Sequence, residues 1–438
     1  MHQMAEKYFS ALVPQSHAAL EKPVDFAVPD ITIPKTYIIC EDDEAFPTAA
    51  QHHWADSLGI KAASVSGGHT AFASVPDKLA AILAGVVEPG MGPNQLADPR
   101  EKILGRMLKL LADAASQGAK LVVFPELAFT TFFPRHQIDD PVKNAEFFEP
   151  ESHDNPHAMV DSPRLKPFFE KAKELCTDVY VGYAERWTDE GGKVTDYNST
   201  IYYSASAGRV IAKYRKVHLP GTKEPIDDKT GRGVEQQLEK RYFTPGNFGF
   251  QAFRAPDLVT GSLKAAGSSA AGEADAKESE GNGDPIIGMI ICNDRRWSEA
   301  WRCYGLQGAE LVLDGYNTTS YAPQYDGTPE EQEAEALFHH HISCQGGSYT
   351  NACFSVNTAK CGVEDGGGLI AGTVIYDPNG HVVAESKTKG DELVVATIDL
   401  ALCRKGKERV FAFEKHRRVE HYGRLIGQVG VEEPPLLA

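Results

Sequence analysis

The sequence predicts an α/β fold with a largely buried sheet, and three observations carry that expectation. Short apolar runs alternate with amphipathic helical stretches, Gly, Pro and Asn punctuate the boundaries, and the composition is globular, at 42% hydrophobic and 24% charged. The 438 residues exceed one ordinary domain yet fit a single large α/β domain with extensions.

Residues 1–57 are rich in Pro, Ala, His and acidic groups, with one short apolar run, "TYIIC", and read as an N-terminal extension. The main domain is expected over 58–438, with "IKAASVSGG" (60–68) as its first strand. In "EKILGRMLKLLADAASQG" (101–118), Ile103, Leu104, Met107, Leu108, Leu111 and Ala115 share one helical stripe, and Gly118 supplies the C-cap. "AKLVVFPEL" then reads as a short buried strand. The rhythm repeats with a helix at 163–176, a strand at 179–185 and a hairpin turning at Gly208. It repeats again with a strand at 285–292, a helix at 298–309 and a strand at 310–315. Later runs, "ACFSVNTA", "AGTVIYDP" and "ELVVATIDL", finish the chain with a meander-like, antiparallel character. The stretch at about 255–284 is rich in Ala, Gly, Ser and acids, so it cannot bury enough surface to order itself and reads as a flexible insertion.

Composition excludes several partners. A net charge of −17 argues against a nucleic-acid partner, which draws on clustered positive charge. No apolar run approaches the ~18 residues that span a bilayer, so no membrane association is expected. The first residues lack a basic patch followed by an apolar core, which makes the cytoplasm the expected compartment. Eight scattered cysteines form no CxxC pair and signal neither a zinc site nor a disulfide framework.

Three polar residues stand at strand ends, where α/β folds gather their sites. Cys292 follows "IIGMII" and precedes Asn293, Asp294, Arg295 and Arg296; the turn's N–H groups and the two arginines favour a thiolate there. Such a nucleophile needs a proton acceptor. Glu126 in "VVFPEL" is flanked by apolar residues that would raise its pKa towards a useful value. Lys216 in "KYRKVHLPG" ends a further strand before a Pro-Gly turn. Taken singly, each residue reads as an inert core cysteine, a surface glutamate or a surface lysine; three in order are harder to dismiss.

These residues resemble a known family. "FPEL", "KYRKVHLPG" and "CNDRRWSEAW" are similar to the Glu, Lys and Cys signatures of the nitrilase superfamily of carbon–nitrogen hydrolases, over roughly residues 58–425. Within it, "FPELAFTTFFPR", "EKRYFTPGNFGF", "GYNT" and "FHHHISCQGGSYTNA" look most like the N-carbamoyl-D-amino-acid amidohydrolases. The resemblance implies a four-layer α-β-β-α sandwich, assembled as a homodimer or homotetramer, and a thiol hydrolase that needs no metal or organic cofactor. Cys292 matches the nucleophile, Glu126 the general base, Lys216 the oxyanion-stabilising cation, and Glu239 a second carboxylate beside them. The backbone N–H of Asn293 matches the second oxyanion donor. The implied substrate is a small N-carbamoyl amino acid. Arg295, at a position variable in the superfamily, is the candidate for its carboxylate, together with Arg296. Asn317 and Thr318 match a further polar edge of that pocket, and His218 a histidine beside the lysine.

The run His339, His340, His341 points in several directions on a helix and suits packing and a subunit contact better than metal. Departures also count. Ser298 stands where the signature usually has proline, and Gln236 and Gln237 precede Leu238 where close carbamoylases tend to carry a histidine. A β-ureidopropionase, a simple amidase, a nitrilase and a catalytically silent scaffold remain the alternatives.

Overall fold

The computed structural model describes residues 36–40, 48–57, 61–65, 85–258 and 284–436. The chain divides into two compact units, Met1–Ser74 and Val75–Ala438. In the first, β1 (Thr36–Cys40) and β2 (Lys61–Val65) pair in parallel, with the helix α1 (Thr48–Ser57) between them in sequence. The run expected to open the main sheet therefore pairs within this smaller unit. A parallel pair needs a crossover connection, and α1 supplies one.

The second unit holds two large sheets. One contains β3 (Gly85–Gly90), β4 (Ala119–Val123), β5 (Phe148–Ser152), β6 (Asp178–Thr188), β7 (Val194–Ser204) and β8 (Arg209–Arg215). The other is built from β9 (Phe253–Arg254), β10 (Ile286–Ile291), β11 (Leu311–Tyr316) and β12 (Phe354–Ala359), then continues past the small hairpin of β13 (Cys361–Glu364) and β14 (Gly367–Ile370). It ends with β15 (Val374–Tyr376) and β16 (Val382–Glu385), while β17 (Glu392–Thr397) returns to the first sheet and pairs antiparallel with β3. β12 was expected in an antiparallel meander; it runs parallel to β11, and the antiparallel pairing begins at β15.

Side-chain alternation creates four layers. Leu121, Val123 and Tyr180 of the first sheet meet Ile287, Met289, Leu311 and Leu313 of the second, forming the core between sheets. Their neighbours face outward. Val122 and Val179 pack under α2 (Arg100–Ser116) and α3 (Lys166–Glu174), against Met107, Leu111 and Phe168. Ile290 and Val312 pack under α4 (Ser298–Leu306) and α5 (Pro329–Asn351), against Trp301, Tyr304 and Cys344. Gly288 breaks the run of β10 for a steric reason: a Cβ there would lie 2.6 Å from the Tyr304 ring. The result is the expected α-β-β-α sandwich.

Residues 259–283 of the acidic insertion lie outside the described residues. Their flanks are held together by β9 pairing antiparallel with β10 and by the Ala255 N–H donating to the Pro285 carbonyl at 2.9 Å.

Candidate active site

Four chain segments converge at one end of the two sheets. Lys216 directly follows β8, Cys292 directly follows β10, Glu126 lies three residues beyond β4, and Glu239 opens a short helix, Glu239–Tyr242. Strand ends suit this task because the sheets on either side fix their backbones.

Lys216 is the hub. Its ammonium donates to Glu126 Oε1 at 2.7 Å and to Glu239 Oε1 and Oε2 at 2.8 and 2.7 Å, and all three side chains are fully buried. Burial alone would lower the lysine's pKa, but Cys292, Glu126 and Glu239 together hold it well above the ordinary value. The ammonium therefore stays charged. Glu239, which could have been a surface partner of Lys240, is raised from the usual carboxylate range, first by desolvation and then by Glu126, with Lys216 pulling the other way.

Glu126 is held from three sides. Asn198 Nδ2 donates to its Oε1 at 2.7 Å, and the Asn317 backbone N–H and Nδ2 donate to its Oε2 at 3.2 and 3.1 Å. Its backbone is gripped by two glycines. A Cβ on Gly182 would lie 2.9 Å from the Glu126 Cα, and one on Gly315 would lie 2.8 Å from the Glu126 nitrogen.

Cys292 sits just past its strand with φ +52°, a left-handed backbone that a non-glycine residue rarely adopts. Two buried groups fix it: the Cys292 N–H donates to Asp314 Oδ1 at 2.8 Å, and Arg295 Nη1 donates to the Cys292 carbonyl at 2.6 Å. The thiol donates to the Asn317 carbonyl at 3.3 Å, so Asn317 touches both Cys292 and Glu126. Arginine neighbours had suggested a thiolate at rest. Burial overrides them, with Glu126 adding to it, and pushes the thiol up to about 12 although Lys216 and Arg295 oppose the shift. Burial therefore favours the protonated sulfur.

The two arginines stand in different settings. Arg295 is buried, its fork already engaged by Cys292 and by Thr318 Oγ1 at 2.9 Å, with its guanidinium 4.2 Å from the Tyr316 ring centre. Arg296 is exposed and has no hydrogen bond or ion pair among the described residues. Both line a cavity of about 650 Å³ that also exposes Cys292, Asn293, Asn317 and Thr318. The N–H of Asn293 belongs to the first turn of the short helix Cys292–Arg296, where no intrahelical acceptor exists. Asp294 is structural here, accepting from Tyr214 OH and from the N–H of His218 at 2.8 and 2.9 Å. His218 bonds the same carboxylate and stacks on Trp297 at 4.7 Å, which makes it a brace for the lysine loop.

Gln236 and Gln237 line the cavity, as does His339, whereas His340 turns inward to the Gly372 carbonyl at 3.1 Å. No group of His, Cys, Asp or Glu among the described residues is arranged to hold a metal ion. Sequence reasoning missed Asn198, Asp314, Gly182 and Gly315. An in-strand asparagine, aspartate or glycine carries no local signature; a polar residue within a buried apolar strand was the one signal available for Asp314.

Comparison with known proteins agrees with this geometry. The "Carbon-nitrogen hydrolase" family matches residues 90–408. An N-carbamoylputrescine amidase from Arabidopsis thaliana is 26% identical, covering 74% of this chain and 89% of its own. A citrullinase from Francisella tularensis is 24% identical, covering 75% and 94%. Among solved structures, a carbon-nitrogen hydrolase from Helicobacter pylori superposes with a TM-score of 0.59 at 19% identity, over 79% of this chain and all of its own. An amidase from Nesterenkonia sp., carrying a covalent adduct on its active-site cysteine, gives 0.51 at 18% identity, over 77% and 94%.

Proposed function

The chain belongs to the carbon-nitrogen hydrolase family, whose members cleave carbon–nitrogen bonds other than peptide bonds, and from that premise we propose that it hydrolyses N-carbamoyl amino acids, the D series foremost. The supporting observation is Arg296, an exposed guanidinium without an acidic partner among the described residues, in the same cavity as the Cys292 sulfur. A free guanidinium fork suits a substrate carboxylate, which it can hold by two parallel bonds. Arg295 was the first choice for that contact; its engagement with Cys292 and Thr318 passes the larger share to Arg296.

In this reading Glu126 takes the thiol proton as sulfur attacks the carbamoyl carbon. Lys216 and the Asn293 N–H stabilise the tetrahedral oxyanion. The C–N bond to the terminal amino group breaks, and ammonia leaves with the proton that Glu126 returns. Glu126 then activates water, which cleaves the carbamoyl–sulfur bond and restores the thiol. The carbamic acid released falls apart to carbon dioxide and the free amino acid. The chemistry uses the protein's own groups alone, and the protein acts as a homodimer or homotetramer in the cytoplasm. Exposed Phe338, Ile342 and Tyr349 of α5 support self-association.

The second reading, an amidase for N-carbamoylated amines, is favoured by the relative of that activity. Ammonia release from D- and L-N-carbamoyl amino acids, N-carbamoylputrescine, a plain amide and a nitrile separates the alternatives. Turnover confined to compounds without a carboxylate would sink the proposal.

A further inference from the structure

The charges lining the cavity are of both signs. Its guanidinium groups are those of Arg135 and, on the turn that opens with Cys292, of Arg295 and Arg296. The cavity wall also carries three carboxylates, Glu235, Asp326 and Glu335. Asp326 has no ion pair among the described residues, and Glu335 reaches only the imidazole of His339, at 3.9 Å. Glu235 is built in. Gln324 clamps its backbone from both sides, accepting from the N–H at 3.0 Å and donating to the carbonyl at 2.9 Å. Its carboxylate accepts from Thr319 Oγ1 at 3.3 Å and stands 3.5 Å from Arg135. Thr319 is next to Thr318, which bonds Arg295, so Glu235 and Arg295 are linked through two adjacent residues.

A second observation points independently to a ligand in this cavity. Asn317 is buried, lines the cavity, and leaves its Oδ1 without a donor among the described residues, although its Nδ2 is fully used on Glu126. A buried acceptor of this kind is costly unless a ligand N–H meets it. A ureido N–H beside the sulfur would do so. An N-carbamoyl amino acid with an apolar side chain would then satisfy Asn317 and Arg296 but would leave Asp326 without a cation and Glu335 with His339 alone.

We infer that the preferred substrate is a ureido compound carrying both a carboxylate and a cationic group, the carboxylate meeting Arg296 and the cation meeting the wall of Glu235, Asp326 and Glu335. The inference rests on the reading above and narrows it. Two sources share this chemistry: an amino acid carbamoylated on its α-nitrogen with a basic side chain, and an amino acid whose side chain ends in the ureido group, with its α-ammonium as the cation.

The test compares kcat/KM for Nα-carbamoyl-lysine, Nα-carbamoyl-norleucine, Nα-carbamoyl-glutamate and citrulline. Kd values on the Cys292→Ala protein are measured in parallel, so that slow chemistry does not hide binding. N-carbamoylputrescine and butylurea form a matched pair without a carboxylate. The expected result is at least a tenfold preference for the lysine derivative or citrulline over the norleucine derivative, with the glutamate derivative poorest. The Asp326→Asn/Glu335→Gln double variant, at exposed positions where folding is safe, should bring the lysine-to-norleucine ratio towards one, through KM. A wild type that prefers neither the lysine derivative nor citrulline over the norleucine derivative, or a preference that the double variant and Glu235→Gln leave unmoved, overturns the inference. Preference for N-carbamoylputrescine over every ureido acid, lost in the same variants, would overturn both the carboxylate reading and the doubly charged substrate, leaving only the acidic wall. Equal handling of N-carbamoylputrescine and butylurea would remove the wall itself.

Discussion

At the scale of single residues, the protonation states set the chemistry. Because burial pushes the Cys292 thiol up to about 12, the free protein should show no thiolate absorbance near 240 nm from this residue at neutral pH. The spectrum of wild type minus Cys292→Ser tests this, and a titration midpoint below 9 would contradict it. Glu239 should set the acid limb of the activity's pH profile. Its carboxyl is raised by desolvation, and its ionised form pairs with Lys216, so protonation as pH falls strips the lysine of a partner. kcat/KM should therefore rise with pH along an acid limb lying above the ordinary carboxylate value. Glu239→Gln should lower kcat by about 10²-fold and displace that limb. Arg295→Gln removes the donor that fixes the Cys292 carbonyl in its left-handed conformation. A charged hydrogen bond of this kind contributes about 1.5–3 kcal/mol, and the loss should appear in kcat more than in KM.

At the scale of elements, the site exists because β6 and β11 present glycine at the points where the Glu126 backbone must pass. Gly315→Ala would put a methyl group 2.8 Å from the Glu126 nitrogen. Overpacking of this sort costs about 1–3 kcal/mol. It should also lower kcat by displacing the base, measured by thermal melting alongside turnover; a stable, fully active variant would show that the contact does not position Glu126. These glycines also mark what could be read from sequence. Leu121, Val123, Ile287 and Met289 announce strands by apolar runs with short-range punctuation, and Cys292, Lys216 and Glu126 stand out as polar groups ending them. The roles of Gly182, Gly315, Asn198 and Asp314 arise from contacts between strands far apart in sequence, which no local pattern encodes. The same reason explains β2: its residues read correctly as a strand, but the choice of β1 as partner is a tertiary fact.

At the scale of the whole molecule, two sheets enclose a shared core and deliver one catalytic segment after another to the same end. The first supplies Glu126 and Lys216, the second Cys292 and Asn317, so the four residues meet only when the sheets pack face to face. The acidic insertion falls in the chain between β9 and β10, outside every segment that carries a site residue. Its flanks are joined by β9 and β10, and replacing 259–283 by a short Gly-Ser turn should change kcat/KM less than about twofold, since loop-closure cost varies only slowly with length. Loss of folding on that deletion would show that the segment belongs to the structure. Among the described residues no helix is long and apolar enough to cross a membrane.

The central claim is that Cys292 attacks the carbamoyl carbon of an amino-acid substrate bound through its carboxylate. The most direct measurement is ammonia released from N-carbamoyl amino acids by purified wild-type and Cys292→Ala protein under identical conditions. The account predicts saturable release by the wild type and a loss of at least about 10³-fold in the variant. Release that Cys292→Ala leaves unchanged would contradict it.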